Sequence, residues 1–85
     1  MINTQLDLFP SETHLRRVDP KQNMYRFYAV TVEPTLFNEW AVVRRWGRIG
    51  TAGSTRVELH ESMGEAINAV EQVNRSKLRR GYQQA

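Results

Sequence analysis

Proline and glycine divide the central part of the chain into three short runs of strand-forming residues. The runs are RFYAVTV at residues 26–32, EWAVVRRWG at residues 39–47 and STRVELH at residues 54–60. Each is rich in β-branched and aromatic residues, which fit the pleated surface of a sheet. Pro34 cannot donate to a sheet ladder and ends the first run, while Gly50 and Gly53 suit a tight connection between the last two. Connections this short join neighbouring antiparallel strands.

Alternation within these runs predicts which residues face the core. In residues 26–32, Tyr28, Val30 and Val32 fall on one side of the strand. The run at residues 54–60 alternates strictly. Its expected inward residues are Thr55, Val57 and Leu59, and its expected outward residues are Arg56, Glu58 and His60. A strand with one solvated face is typical of an antiparallel sheet.

A further strand and one helix complete the expected fold. Residues 14–18 form the additional strand candidate, closed by turn-forming residues at 19–23. Ser62 and Glu65 have the spacing of a capping box, and Gly81 is suited to end the helix. Apolar residues between them fall at 63, 66, 67, 70 and 73, the spacing of one helical face. The sequence therefore predicts an α+β fold: about four strands in an antiparallel meander, with one C-terminal helix packed on one face.

The length and composition indicate one small domain. The 85 residues are 40% hydrophobic and 25% charged, as in an ordinary soluble globular protein. Residues 1–13 are expected to form a flexible N-terminal tail, in which Leu6, Leu8 and Phe9 either dock on the body or stay free. The folded domain is expected to cover residues 14–85. The absence of cysteine excludes disulfides.

The sequence carries no recognisable targeting or membrane segment. No apolar run approaches the roughly 18 residues of a spanning helix. The N-terminus also does not have the basic start and long apolar stretch of a secretory signal. A cytoplasmic location without membrane contact is therefore expected.

Basic charge is concentrated in two windows of the chain. Twelve Lys and Arg against nine Asp and Glu give a net charge of +3. The first window contains Arg44, Arg45, Arg48 and Arg56, and the second contains Arg75, Lys77, Arg79 and Arg80, with no acid in either. If the fold brings the windows together, they form a basic patch suited to a polyanion.

Catalysis, metal binding and cofactor binding are not expected. His14 and His60 fall in different strands, and no spacing pairs a nucleophile with a base. A metal site needs converging ligands, and two histidines in different strands do not provide them. Residues 50–53 have the G-x-x-G pattern of a phosphate-backbone clamp, but both flanks are predicted strands, which favours a plain hairpin connection.

The segment RRWGR places a tryptophan among arginines at the end of a strand. Alternation puts Val42, Arg44, Trp46 and Arg48 on the same side, so apolar and cationic residues conflict there. A bulge at Gly47 is expected to relieve the conflict and turn Trp46 and Arg48 toward an edge. Trp46 is then either a core aromatic or an exposed ring that stacks on a nucleotide while arginines bind phosphate. Such conflicts tend to mark functional positions, which favours binding.

The chain resembles a known family, the WGR domains, in an ordered set of motifs across residues 14–82. These are NMYRFYAV at residues 23–30, RWGRIGTAG at 45–53, the helix start at 65–66 and SKLRRGY at 76–82. The resemblance implies a compact antiparallel sheet with one helix and a nucleic-acid-binding role, as in DNA-dependent poly(ADP-ribose) polymerases and stand-alone bacterial proteins. It implies that Trp46 lies against the sugar of a terminal nucleotide, that Arg48 bridges to DNA, and that Asn23 touches the backbone.

The expected function is binding of nucleic acid, DNA in preference to RNA, at duplex ends or nicks. The expected contact residues are Asn23, Arg44, Arg45, Trp46, Gly47, Arg48, Arg56, Lys77, Arg79 and Arg80. The polymerases' catalytic and zinc-finger regions have no counterpart in this sequence, so no enzymatic activity is expected. The alternative is a protein-interaction adaptor that uses the same edge. The module is expected to be a monomer.

Overall fold

Within residues 12–85, five antiparallel strands form one open sheet, and a single α-helix packs on one of its faces. The structure is a computed structural model that describes residues 12–85. Its elements are β1 (Glu12–Asp19), a 3₁₀ turn (Pro20–Gln22), β2 (Met24–Pro34), β3 (Trp40–Arg48), β4 (Ser54–His60), α1 (Met63–Arg79) and β5 (Gln83–Gln84). The strand order is β4-β3-β2-β1-β5, so β1 to β4 form a meander and β5 adds to the outer edge of β1. The predicted α+β class is confirmed, and β5 is additional to the four expected strands.

The first strand begins two residues before the expected start of the domain. Glu12 and Thr13 belong to β1 and pair with Thr31 and Val30 of β2. The other residues assigned to the tail, including the apolar cluster at residues 6–9, lie outside the described residues.

The helix-facing side of the sheet contains the core. Its buried residues are Leu15, Tyr28, Val30, Val32 and Val42 from the strands, Ala66 and Val70 from α1, and Tyr82 after the helix. Tyr28, Val30 and Val32 are buried together, which confirms the alternation predicted for β2. Trp40 and Val73 pack against the cluster from its margin. Burial of these apolar side chains is the main favourable term in folding.

The predicted orientation of β4 is wrong. Val42 is fully buried beneath the helix and pairs with Glu58, so Glu58 lies on the helix-facing side of the sheet. Val57 and Leu59 lie on the opposite, outer face, where they are 55% and 58% exposed. Strict alternation divides a strand into two faces, but pairing with β3 decides which face meets the helix.

The predicted bulge at Gly47 is also wrong. β2 and β3 pair without interruption from Arg26 opposite Arg48 to Pro34 opposite Trp40, and Gly47 lies opposite Phe27. Glycine is needed there for another reason, since a Cβ at Gly47 would lie 2.8 Å from the Cα of Gly53. The position serves a close approach of two backbones within the hairpin.

The helix begins where the sequence predicts. Ser62 precedes it in extended conformation, and its Oγ accepts a hydrogen bond from the Glu65 backbone N–H at 3.1 Å. This contact satisfies one of the donors that a helix N-terminus leaves free. The apolar face predicted for the helix is confirmed by burial of Ala66 and Val70. No helix in residues 12–85 is long and apolar enough to cross a membrane.

The helix ends in a Schellman motif that returns the chain toward the sheet. The N–H of Gly81 donates to the Leu78 carbonyl at 3.1 Å, and the N–H of Tyr82 donates to the Lys77 carbonyl at 3.1 Å. Gly81 has a φ of +98°, in the left-handed region that this motif requires. The turn buries Tyr82 beside Lys77 and directs the next residues into β5, alongside β1.

Candidate nucleic-acid interface

Trp46 lies at the end of β3, on the helix-facing side, between two cavities. Its side chain is 39% exposed, and its neighbours across the sheet are Tyr28 and Ser54. A cavity of about 370 Å³ on one side reaches toward β4 and the end of α1, and we call it the cleft. A cavity of about 360 Å³ on the other side reaches toward the start of β2, and we call it the groove. Trp46 and Lys77 line both cavities, so the indole separates them.

The cations of the two cavities come from separate parts of the chain. Arg44, Arg56, Lys77 and Arg80 line the cleft, and Arg26, Arg48 and Lys77 line the groove. Strands β2, β3 and β4 and the end of α1 therefore each contribute positive charge around a single indole. Such a concentration of one sign raises the local concentration of anions.

The β3–β4 hairpin fixes the position of Trp46. The Thr51 N–H and hydroxyl both donate to the Arg48 carbonyl, at 3.0 and 2.7 Å. Gly50 has a φ of +92°, as required at the third position of a type II turn. At Gly53, a Cβ would overlap the Trp46 carbonyl oxygen, so only glycine lets the two strand ends approach this closely.

Arg48 is held beside Asn23 at the mouth of the groove. The Arg48 guanidinium lies 5.1 Å from the centre of the Tyr25 ring and 3.4 Å from both the backbone and side-chain oxygens of Asn23. Asn23 follows the 3₁₀ turn in left-handed conformation, with a φ of 53°. These contacts involve no carboxylate, so the positive charge of Arg48 stays available to an anion.

One carboxylate, Glu58, lies among the cations of the cleft. Its Oε1 is 2.9 Å from Nη2 of Arg44, and its Oε2 is 3.8 Å from Nε of Arg56. The side chain of Arg44 is only 19% exposed, whereas that of Arg56 is 68% exposed. Glu58 therefore compensates Arg44 closely and leaves Arg56 free to move toward a ligand.

Lys77 and Tyr28 meet at the floor of the site. The Lys77 Nζ lies 5.1 Å from the centre of the Tyr28 ring and 4.9 Å from that of Tyr82. Burial lowers the pKa of Lys77, and the nearby charges of Arg80 and Arg26 lower it further. Burial raises the pKa of the Tyr28 hydroxyl, with Arg44 acting against this and Glu58 adding to it. An anion bound here would relieve the repulsion among these cations.

The structure brings eight of the ten predicted contact residues together. They are Asn23, Arg44, Trp46, Gly47, Arg48, Arg56, Lys77 and Arg80. Arg45 lies on the outer face instead, with its guanidinium 5.5 Å from the centre of the Phe27 ring. Arg79 is exposed and lines neither cavity, because it lies about 200° around the helix from Lys77.

Sequence reasoning missed several residues of the site. They include Tyr25, Arg26, Tyr28 and Tyr82. Alternation could have identified Arg26, since it lies on the same side of β2 as Tyr28. The structure gives Tyr28 two roles, because its ring is part of the core while the same residue lines the cleft. In residues 12–85, no group of three or more His, Cys, Asp or Glu side chains could hold a metal ion.

The fold and this site define a small α+β domain with an aromatic residue between two cationic cavities. The chain matches the family model of the WGR domain over residues 11–85 and therefore belongs to the WGR domain family. In proteins of the poly(ADP-ribose) polymerase type, WGR domains often bind nucleic acid.

The chain is also similar to a curated protein. The chain is 38% identical over 73 residues to "Uncharacterized protein y4dW" of Sinorhizobium fredii (strain NBRC 101917 / NGR234). The match covers 86% of this chain but only 36% of the relative. No solved structure gives a significant match.

Proposed function

We propose that this WGR domain binds DNA at duplex ends or nicks and has no catalytic activity of its own. The observation that carries the proposal is the position of Trp46, a partly exposed indole between two cavities lined by six cations. In this proposal, the indole stacks on the terminal nucleotide and the cations neutralise nearby phosphates.

The energetics favour a nucleic acid over ion pairing within the protein. Stacking of an aromatic side chain on a base contributes about 1–3 kcal/mol. An exposed salt bridge contributes about 0–1 kcal/mol. Among the described residues, no carboxylate lines either cavity, and Glu58 beside the cleft pairs with Arg44. Most of the positive charge of the cavities therefore has no internal partner in the described part of the chain and suits a polyanion.

The preference for ends follows from the geometry of stacking. Inside a duplex, both faces of each base pair are covered by neighbouring pairs, and unstacking them costs a few kcal/mol. A duplex end exposes one face without that cost, and at a nick the break in one strand lets the stack open more easily. DNA is favoured over RNA because the WGR domains that the chain resembles contact DNA breaks.

The test is a titration of a linear duplex and of a closed circular duplex of the same sequence. We expect tighter binding to the linear duplex. If about four phosphates are engaged, log affinity falls with log salt with a slope of about −3 to −4. We expect Trp46→Ala to lose about 1–3 kcal/mol of binding to the linear duplex. Arg79→Gln, which removes a cation outside both cavities, is the matched control.

Three outcomes would contradict parts of the proposal. Equal affinity for the circular and linear duplexes would remove the preference for ends. A complex insensitive to salt would exclude phosphate contacts. Global unfolding of Trp46→Ala, detected by circular dichroism, would show that Trp46 is a structural residue.

A protein-interaction adaptor is the second candidate. Leu36 and Phe37 are highly exposed at the β2–β3 turn, at the opposite end of β3 from Trp46. Exposed apolar groups of this kind mark surfaces that bind proteins. This candidate expects a partner that copurifies after nuclease treatment. Loss of that partner in Trp46→Ala would indicate the WGR edge, and loss in Phe37→Ser would indicate the turn.

A further inference from the structure

We propose that the cleft accommodates one unpaired nucleotide that continues past a bound duplex end. The inference rests on the proposed DNA binding and goes beyond it, because it gives the two cavities different roles. The groove takes the phosphates of the duplex, and the cleft takes the phosphate, sugar and base of the next nucleotide. In this arrangement, Trp46 lies at the junction between the paired and the unpaired DNA.

The charge of the cleft suits a phosphate group. Arg56, Lys77 and Arg80 line it, and none of them has a carboxylate within 3 Å. Glu58 is 2.9 Å from Arg44, so it compensates that cation most closely. Burial is the main cause of the lowered pKa of Lys77, and the nearby charge of Arg80 lowers it further. A single phosphate bound between Lys77 and Arg80 would offset that repulsion.

A buried hydroxyl provides a second, independent indication of a ligand. Tyr28 is 3% exposed, and its hydroxyl has no hydrogen-bond partner among the described residues. A buried hydroxyl without a partner is costly, so such groups are rare in folded proteins. Tyr28 lines the cleft, and a shift of the side chains that cover its hydroxyl would let an oxygen of a bound nucleotide accept a hydrogen bond from it.

The size and walls of the cleft favour a nucleotide over an isolated phosphate. A volume of about 370 Å³ equals that of about twelve water molecules, which is far more than a five-atom phosphate fills. Tyr28, Trp46 and Val73 give it apolar and aromatic walls, and Gln72 and Ser76 add polar groups. An occupant with one anionic end and one flat apolar end matches these walls, and a nucleotide has this form.

The experiment compares a blunt duplex with the same duplex carrying one unpaired thymidine at its 3′ or 5′ terminus. Fluorescence anisotropy gives the ratio of the two affinities. We expect wild-type protein to bind one overhang roughly 5- to 10-fold more tightly than the blunt duplex. Arg56→Gln and Arg80→Gln should bring the ratio close to one. Arg48→Gln, in the groove, should weaken both complexes and keep the ratio, and Arg79→Gln should change neither.

Tyr28→Phe tests the buried hydroxyl directly. It keeps the ring in the core, so its thermal midpoint should equal or exceed that of wild type while the overhang ratio falls. A lower midpoint with an unchanged ratio would make the hydroxyl structural and overturn its role. Should this variant fail to fold, the ratios of Arg56→Gln and Arg80→Gln decide the question.

Competition identifies what the cleft accepts. Thymidine monophosphate should remove the overhang advantage at concentrations where inorganic phosphate and a glutamate-rich peptide do not. Equal competition by phosphate would reduce the cleft to an anion site, and equal competition by the peptide would indicate a protein ligand. Equal binding of blunt and overhanging duplexes overturns this inference alone, whereas no binding of either overturns the proposed function as well.

Discussion

The helix-facing side of the sheet has two halves that differ in chemistry although the same strands build both. In one half, Val30 and Val42 are buried beneath Ala66 and Val70 of the helix. In the other, cationic side chains and Trp46 line two open cavities beside the end of the same helix. We call these the closed half and the open half.

The difference shows that a shared face does not imply a shared environment. Small and branched apolar residues pack closely in the closed half, since Ala66 is fully buried and leaves room for the sheet. Arginine and lysine cannot be sealed in the same way, because removing their charges from water costs several kcal/mol per ion. We infer that stability comes mainly from the closed half and that ligand binding uses the open half.

The largest expected effect is a loss of stability in the closed half. Val42→Ala should lower the free energy of unfolding by about 2–3 kcal/mol, because it removes buried methyl groups and leaves a cavity. Val57→Ala makes the same change on the exposed face and should cost less than about 0.5 kcal/mol. Urea denaturation measures both. Similar losses would contradict the division into halves.

The next effect concerns Glu58, the carboxylate that pairs with Arg44 beside the open half. Glu58→Gln should strengthen DNA binding by about 0.5–1 kcal/mol, because it frees the charge of Arg44 for phosphate. The slope of log affinity against log salt should steepen by about 0.9. Glu61→Gln removes the same charge near the start of the helix and should leave the slope unchanged. Weaker binding by Glu58→Gln would mean that the ion pair positions Arg44.

We expect the effect of pH on DNA binding to come from Lys77. Its pKa is lowered from 10.5 by burial, so on raising the pH it loses its charge earlier than an exposed lysine. The burial penalty on the charged form is present at neutral pH and is relieved as the pH rises through the folded-state pKa. We therefore expect DNA affinity to fall between neutral pH and pH 10.5 while the folded state gains stability.

Two variants test the assignment of this pH effect. Lys77→Arg should abolish the fall in affinity, because arginine stays charged over this range. Lys21→Arg changes the only other lysine of the sequence, which lies in the 3₁₀ turn. The fall in affinity should persist in this variant. The same pH profile for both variants would assign the effect to another group.

The smallest expected effect is that of Arg45→Gln. Arg45 adjoins Trp46 in sequence but lies on the outer face over Phe27. Binding should change by less than about 0.5 kcal/mol, whereas Arg48→Gln should reduce the salt slope by about one unit. Equal losses would show that the ligand also reaches the outer face.

Local sequence signals predicted β1 to β4 and the helix, although not β5. Ser62 starts the helix and Gly81 ends it as expected, because capping depends on residues within one turn. The apolar stripe of β2 was also predicted, since Tyr28 and Val30 are separated by a single residue. These features depend on residues only a few positions apart, so the periodicity of the sequence is enough to predict them.

The errors have a common physical cause. The prediction of which side of β4 meets the helix was wrong, because the alternation of Val57 and Glu58 fits either orientation equally well. The bulge assigned to Gly47 was wrong because the approach of Gly53 determines the need for glycine there. In both cases a residue on, or directly before, the neighbouring strand decides the outcome.

The sequence by itself determined the order of β1 to β4 and α1, the family and the residue types available for binding. Only the tertiary structure decided that Arg26, Arg56 and Lys77, from three separate elements, surround the indole of Trp46 while Arg45 does not. The reason is that backbone preferences act over a few residues. Which side of a strand is covered depends on the burial that the whole chain achieves at once.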